Sequence, residues 1–169
     1  MDNNLAVILD FQCFVDNEGN SIIKELSVMD VTRFASRHWI FKPPVQAVTN
    51  AKYVKTNRWL TANYHGLQWD EGEVPYEDLL SLLTKHTHMY KYIFVKGLQK
   101  KRFLTNRIIH NKIINLEDFD CPKATALPYV QGTACLRHLD SCSQCTSHRV
   151  HAFREWMIND FCVVYSFLI

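Results

Sequence analysis

The chain opens on an almost unbroken apolar run, Leu5–Val15, interrupted by Asp10. A strongly apolar run of this length predicts a strand. Asn17-Glu18-Gly19-Asn20 has turn chemistry, and Ser21–Val28 is a second apolar run, so residues 5–28 predict a β-hairpin. A third run, Trp39-Ile40-Phe41, stops at Lys42-Pro43-Pro44, because proline has no N–H to give to a ladder. Residues 45–75 have no sustained period. Arg58-Trp59-Leu60 predicts a short helix there and Tyr64-His65-Gly66-Leu67 a turn. Pro75 then precedes Tyr76–His86, where Leu79, Leu80, Leu82 and Leu83 predict a helix.

Tyr92–Val95 predicts a short buried strand closed by Gly97, Lys100–Ile109 a helix, and Ile113–Leu116 another strand. Pro122 opens a helical turn. From Cys145 onward Val150, Phe153, Trp156 and Met157 fall on one face of a last helix. The predicted order βββαβαβα gives one α/β domain over residues 1–169, a mixed sheet with helices on both faces. A length of 169 residues fits a single core.

A content of 47% hydrophobic and 21% charged residues is that of a globular chain rather than a disordered one. No apolar stretch reaches membrane-spanning length, and the N-terminus lacks a basic leader. The expectation is a protein of the cytoplasm or nucleus, with no membrane partner. In such a reducing compartment six cysteines are more readily metal ligands than disulfides.

The candidate chemistry is concentrated in Cys135–Trp156, which holds three of the six cysteines and three of the eight histidines. Cys135-x-x-His138 can present two ligands from one tight turn, and Cys145 can add a third from the start of the last helix. Thiolate and imidazole are the donors that Zn²⁺ favours in a tetrahedral site. Three ligands leave one position, for which Cys142, His148 and His151 are local candidates. Asp10 is a distant one, since a buried carboxylate needs a partner.

Net charge is only +2, but it is unevenly spread. Residues 96–112 carry Lys96, Lys100, Lys101, Arg102, Arg107 and Lys112 with no acid. Such a run can neutralise phosphates, or it can be a solvated helix face. The last residues, Phe161–Ile169, carry no charge. They would continue the core or cover a partner surface, a homodimer included.

The order of elements resembles the ribonuclease H-like fold of the DEDD exonucleases. Their first-strand D-x-E pair reads Asp10-Phe11-Gln12 here. The segment after the fourth strand, where they carry an aspartate, reads Val95–Lys101 without a carboxylate. Their H-x-A-x-x-D helix motif aligns Thr146 with the alanine and Arg149 with the last acid. Holding two Mg²⁺ ions roughly 3.5–4 Å apart takes several carboxylates, so a conventional two-metal nuclease is not expected. The chain is closer to the Maelstrom domain, a derivative of that fold in which Glu, Cys, His and Cys bind zinc. It also resembles uncharacterised invertebrate proteins with the same C-x₂-H…C ending. The Maelstrom resemblance implies a Zn²⁺ site of Asp10, Cys135, His138 and Cys145, with Asp in place of the first-strand Glu. It further implies binding of RNA, single-stranded by preference, in RNA silencing or RNA metabolism. Cleavage of RNA without the usual acids is associated with that family, and a protein–protein adaptor on the same scaffold is the alternative.

Overall fold

The computed structural model describes residues 6–138 and 144–160. The tail Phe161–Ile169, expected as a partner surface, and Cys142, a candidate ligand, lie outside the described residues. The architecture is α/β. Five strands, β1 (Ala6–Val15), β2 (Ser21–Asp30), β3 (Ser36–Ile40), β4 (Tyr92–Val95) and β5 (Lys112–Asn115), form one mixed sheet in the order β3-β2-β1-β4-β5. The hairpin β1–β2 and its neighbour β3 are antiparallel, whereas β4 and β5 run parallel to β1. Among the described residues four α-helices accompany them: α1 (Ala51–Asn63), α2 (Leu79–Thr87), α3 (Leu98–Thr105) and α4 (Thr146–Asn159). No helix among the described residues is long and apolar enough to cross a membrane.

β1 is the central strand, and its alternation sorts the core. Ala6 and Ile8 join Met29, Val150, Phe153 and Met157 on the α4 side. Val7, Leu9 and Phe11 join Leu79, Leu83 and Leu104 on the α2–α3 side. Both faces are therefore covered, which is why the run is apolar at successive positions.

The structure adds one helix to the predicted order, giving βββααβαβα. α1 runs thirteen residues where only a short helix around Arg58–Leu60 is predicted. Its one fully buried side chain is Asn57, so it has no apolar stripe to announce it. Asn57 instead accepts from Val15 N at 2.9 Å and donates to Val15 O at 2.9 Å, completing the end of β1. Asn50 caps α1 by accepting from Lys52 N. Other boundaries move less. The helix expected at 76–86 is a 3₁₀ turn, Tyr76–Asp78, followed by α2, and the helix expected at 100–109 is α3.

β2 carries the feature that positions the site. Its pairing with β1 shifts register, Gln12 opposing Glu25 and Cys13 opposing Ile23, so Lys24 is an extra residue. The bulge leaves Lys24 buried, and its ammonium donates to Phe41 O at 2.8 Å, Trp69 O at 2.7 Å and Glu71 O. Burial lowers its pKa to about 8. Three N–H donors meet three carbonyls, which binds the segment 69–71 to the sheet. Lys24→Met would strand those carbonyls in a dry site. It is expected to lower the unfolding free energy by about 3 kcal/mol, read from a urea midpoint. A change smaller than about 0.5 kcal/mol would refute this account of Lys24.

Candidate metal centre

Glu25 lies next to the bulge on the face that α4 covers. One of its oxygens, Oε2, accepts from Thr146 N at 3.2 Å, at the first turn of α4. That contact is favourable to a carboxylate, since the amides of a helix N-terminus are unpaired. The helix start is fastened further by Ser27 Oγ to Thr146 Oγ1 at 2.7 Å and by Gln12 Nε2 donating to Gln144 O at 2.7 Å.

The other oxygen, Oε1, is where the donors converge. His38 Nε2 on β3 is 2.7 Å away, His138 Nε2 2.8 Å, Cys145 Sγ 3.5 Å and Cys135 Sγ 3.8 Å. Ligand atoms of Glu25, His38, Cys135 and Cys145 all lie within 4.8 Å of one another. Among the described residues no second group of three or more His, Cys, Asp or Glu side chains converges in this way.

The backbone around the cluster is arranged to match. Cys145 is the N-cap residue of α4, and its sulfur accepts from Cys135 N at 3.2 Å, which ties the helix start to the 135–138 turn. His138 donates Nδ1–H to His65 O at 2.5 Å, fixing its ring with Nε2 toward the cluster. A second-sphere carbonyl of this kind is what metal-ligating histidines use to set tautomer and orientation. Gly66 lets the 65–71 strap come this close. Its φ is +70°, and a Cβ there would meet the His138 backbone at 2.9 Å.

Glu25 and His138 form a buried ion pair beside the two thiols. Burial opposes the charge on Glu25, but the hydrogen bonds from His138 and His38 outweigh it and hold the carboxyl below its ordinary 4.5. Burial likewise opposes charge on His138, yet Cys145 and Glu25 raise it from 6.5 to about 10. The two thiols share a hydrogen bond, so Cys145 is pushed up and Cys135 down. A cation entering the cluster would displace the Nε2 proton and the thiol protons, leaving imidazole and thiolates as donors. Two soft sulfurs, one anchored imidazole and one carboxylate fit a transition ion, and they do not fit magnesium. His38 is the imidazole of the mutually close set, and His138, fully buried and held at Nδ1, lies beside it at 2.8 Å from Oε1. His38, with 24% of its side chain exposed, reaches Glu25 from the solvent side.

The residues singled out from sequence fall into two groups. Cys135, His138 and Cys145 come together around Glu25. Asp10, expected as their carboxylate partner, points elsewhere: it is ion-paired with Lys100, and Arg149 NH1 lies 3.7 Å from Oδ2. The carboxylate beside the thiols is Glu25, on the second strand rather than the first. Its sequence signal was a Lys-Glu pair in the middle of an apolar strand, where a charge needs a buried partner. His38 has no signal apart from lying in β3.

His148, a candidate ligand, is buried. Its Nε2 accepts from Val130 N at 3.2 Å and its ring stacks on Tyr129. His151 is half-buried and donates to Ser147 O.

The basic run is largely engaged internally. Lys96 donates to Cys121 O, Lys100 is held by Asp10, Lys101 lies 3.9 Å from Asp118, and Arg107 stacks on Phe103. Arg102 and Lys112 are exposed. Protein-family models and curated protein sequences contain no match to this chain.

A pH profile follows from the ion pair. The depressed carboxyl of Glu25 stabilises the fold above pH 4.5, and that contribution is lost as pH falls through its folded value. The raised imidazole of His138 stabilises it fully below pH 6.5, and that is lost as pH rises through about 10. Chelated protein is therefore expected to melt highest between these limits and lower at pH 9. Added metal should raise the alkaline limb most, because its ligands must be deprotonated. Melting of chelated protein that is highest at pH 9 would contradict the pair.

Proposed function

We propose that this chain is a zinc-clipped, ribonuclease H-like domain that binds RNA and has exchanged two-metal catalysis for a structural ion. The observation that carries the reading is the surroundings of Asp10. In the exonucleases that the sequence resembles, acids follow the fourth strand and lie in the last helix. Here Lys100, just after β4, and Arg149, in α4, reach the first-strand carboxylate. On this reading protein cations would take the place of the magnesium ions and neutralise the carboxylate that such ions would need. The sheet order β3-β2-β1-β4-β5, with β2 the antiparallel member of the central trio, supports the fold assignment.

Zinc is the ion best suited to two thiols, an imidazole and a carboxylate. Cys135, His138 and Cys145 with Glu25 would hold it, and its contribution would be to folding. The ion would join β2 to the start of α4, across more than a hundred residues of chain. Closing so long a loop removes considerable entropy from the unfolded state. RNA binding draws its support from the excess of Lys and Arg in residues 31–112, fourteen against five acids. A role in small-RNA silencing follows from the Maelstrom resemblance.

Purified protein is expected to contain near one zinc per chain by elemental analysis, lost in Cys135→Ser and in Glu25→Gln. Asp10→Asn should keep the metal. Single-stranded RNA should be retarded at low salt, with affinity falling on a log–log slope of several units as salt rises. No retardation at the lowest salt would refute the RNA reading. Mg²⁺-dependent degradation abolished by Asp10→Asn would restore a two-metal nuclease.

A further inference from the structure

The geometry points to an unpaired nucleobase as the ligand of a cleft between α1 and the 68–70 strap, with the adjoining phosphates on the exposed face of α1. This inference rests on the nucleic-acid reading and gives it a location. The cleft has a volume of about 470 Å³, within the range of small-ligand sites. Phe14 forms its floor, Asn57 and Arg58 one wall, and Gln68, Trp69 and Asp70 the other. Phe14 meets Trp69 edge to face, with ring centroids 5.3 Å apart. Trp69 is half-buried and lines the cleft beside Phe14. The amide of Gln68 and the carboxylate of Asp70 suit the donors and acceptors along a base edge.

Both walls are fixed before anything binds. Asn57 anchors α1 to Val15 through two hydrogen bonds, and Lys24 holds the carbonyls of Trp69 and Glu71. Thr61 Oγ1 donates to Leu67 O at 2.8 Å, tying helix to strap. A preformed aromatic cleft spares the ligand the cost of ordering it.

Charge selects the kind of ligand. α1 has no acidic residue, and Lys52, Lys55 and Arg58 recur every three positions along it, all exposed. Lys55 and Arg58 make no ion pair among the described residues. This contrasts with residues 96–112, most of whose cations are taken by the protein itself. A row of cations beside an aromatic cleft is the arrangement that single-strand binders use to track a backbone and stack its bases.

The cleft also depends on the metal centre. The strap that carries Trp69 begins at His65, whose carbonyl holds His138. Removing the ion should therefore loosen the cleft.

The test is photocrosslinking of the zinc-loaded full chain to a ten-nucleotide RNA containing 4-thiouridine, with peptide mapping, beside fluorescence anisotropy. Crosslinks are expected in peptides containing Phe14 or Trp69. Trp69→Ala and Arg58→Ala should each weaken binding roughly tenfold, Trp69→Phe should restore most of it, and chelation should weaken it in the wild type. Zinc content and circular dichroism of each variant separate lost contact from lost fold. If the wild type binds RNA but crosslinks map to 96–112 and Trp69→Ala binds normally, the cleft is wrong and the RNA reading stands. If the wild type binds no RNA at low salt, both fall. If uridine monophosphate alone matches the oligomer in affinity, the ligand is a free nucleotide and the strand is overturned.

Discussion

The buried carboxylate of Glu25 is the constraint on which the remaining structure depends. A lone ionised carboxylate in a dry interior is very costly, so everything near it is arranged to answer its charge. One oxygen takes the first amide of α4, and the other faces two imidazoles and two thiols. Satisfying it requires β3, the 135–138 turn, the helix start and the 65–71 strap to arrive together. The hydrophobic clusters on either side of β1 supply the bulk of the stabilisation. The carboxylate supplies the uniqueness, because no shifted packing would meet its hydrogen bonds.

Much of the sheet was legible because β1, β2 and β4 are buried on both faces and so read as near-continuous apolar runs. The helices α2 and α4 were legible because each has an apolar stripe. α1 was not, since it attaches through the amide of Asn57 and none of its apolar side chains is buried. The site divides on similar lines. Spacing alone draws attention to Cys135, His138 and Cys145, which the fold gathers at one point. The carboxylate beside them could not be read by spacing, since strand pairing rather than local sequence brings Glu25 to them. Asp10 was the more conspicuous acid because it interrupts the strongest apolar run, but its burial is answered by Lys100 and Arg149. Basic residues close together in sequence likewise proved a poor guide to free charge, since Glu117, Asp118 and Asp10 absorb several of those in 96–112.

Two charged centres thus share the α4 face of one sheet and solve the same problem differently. At Asp10 the protein supplies countercharge from its own side chains. At Glu25 it supplies imidazole and thiol donors, whose protons a bound metal would have to displace. Under the proposed reading, the first closes a hydrolytic centre and the second opens a structural one, using carboxylates on adjacent strands and nearby positions of α4.

The extra residue in β2 has a consequence for how this site is encoded. Ile23 and Leu26 lie three apart, yet both belong to the apolar cluster on the α2–α3 side. That is permitted only because the strand changes parity at Lys24. Remove Lys24, and Gln12–Glu25 and Cys13–Ile23 become consecutive rungs of an ordinary ladder with Ile23 and Leu26 still on one face, but the carbonyls of Trp69 and Glu71 lose their ammonium. The odd residue is therefore surplus to the pairing of the two strands and serves the strap alone, so the sheet and the anchoring of the site's surroundings are encoded separately.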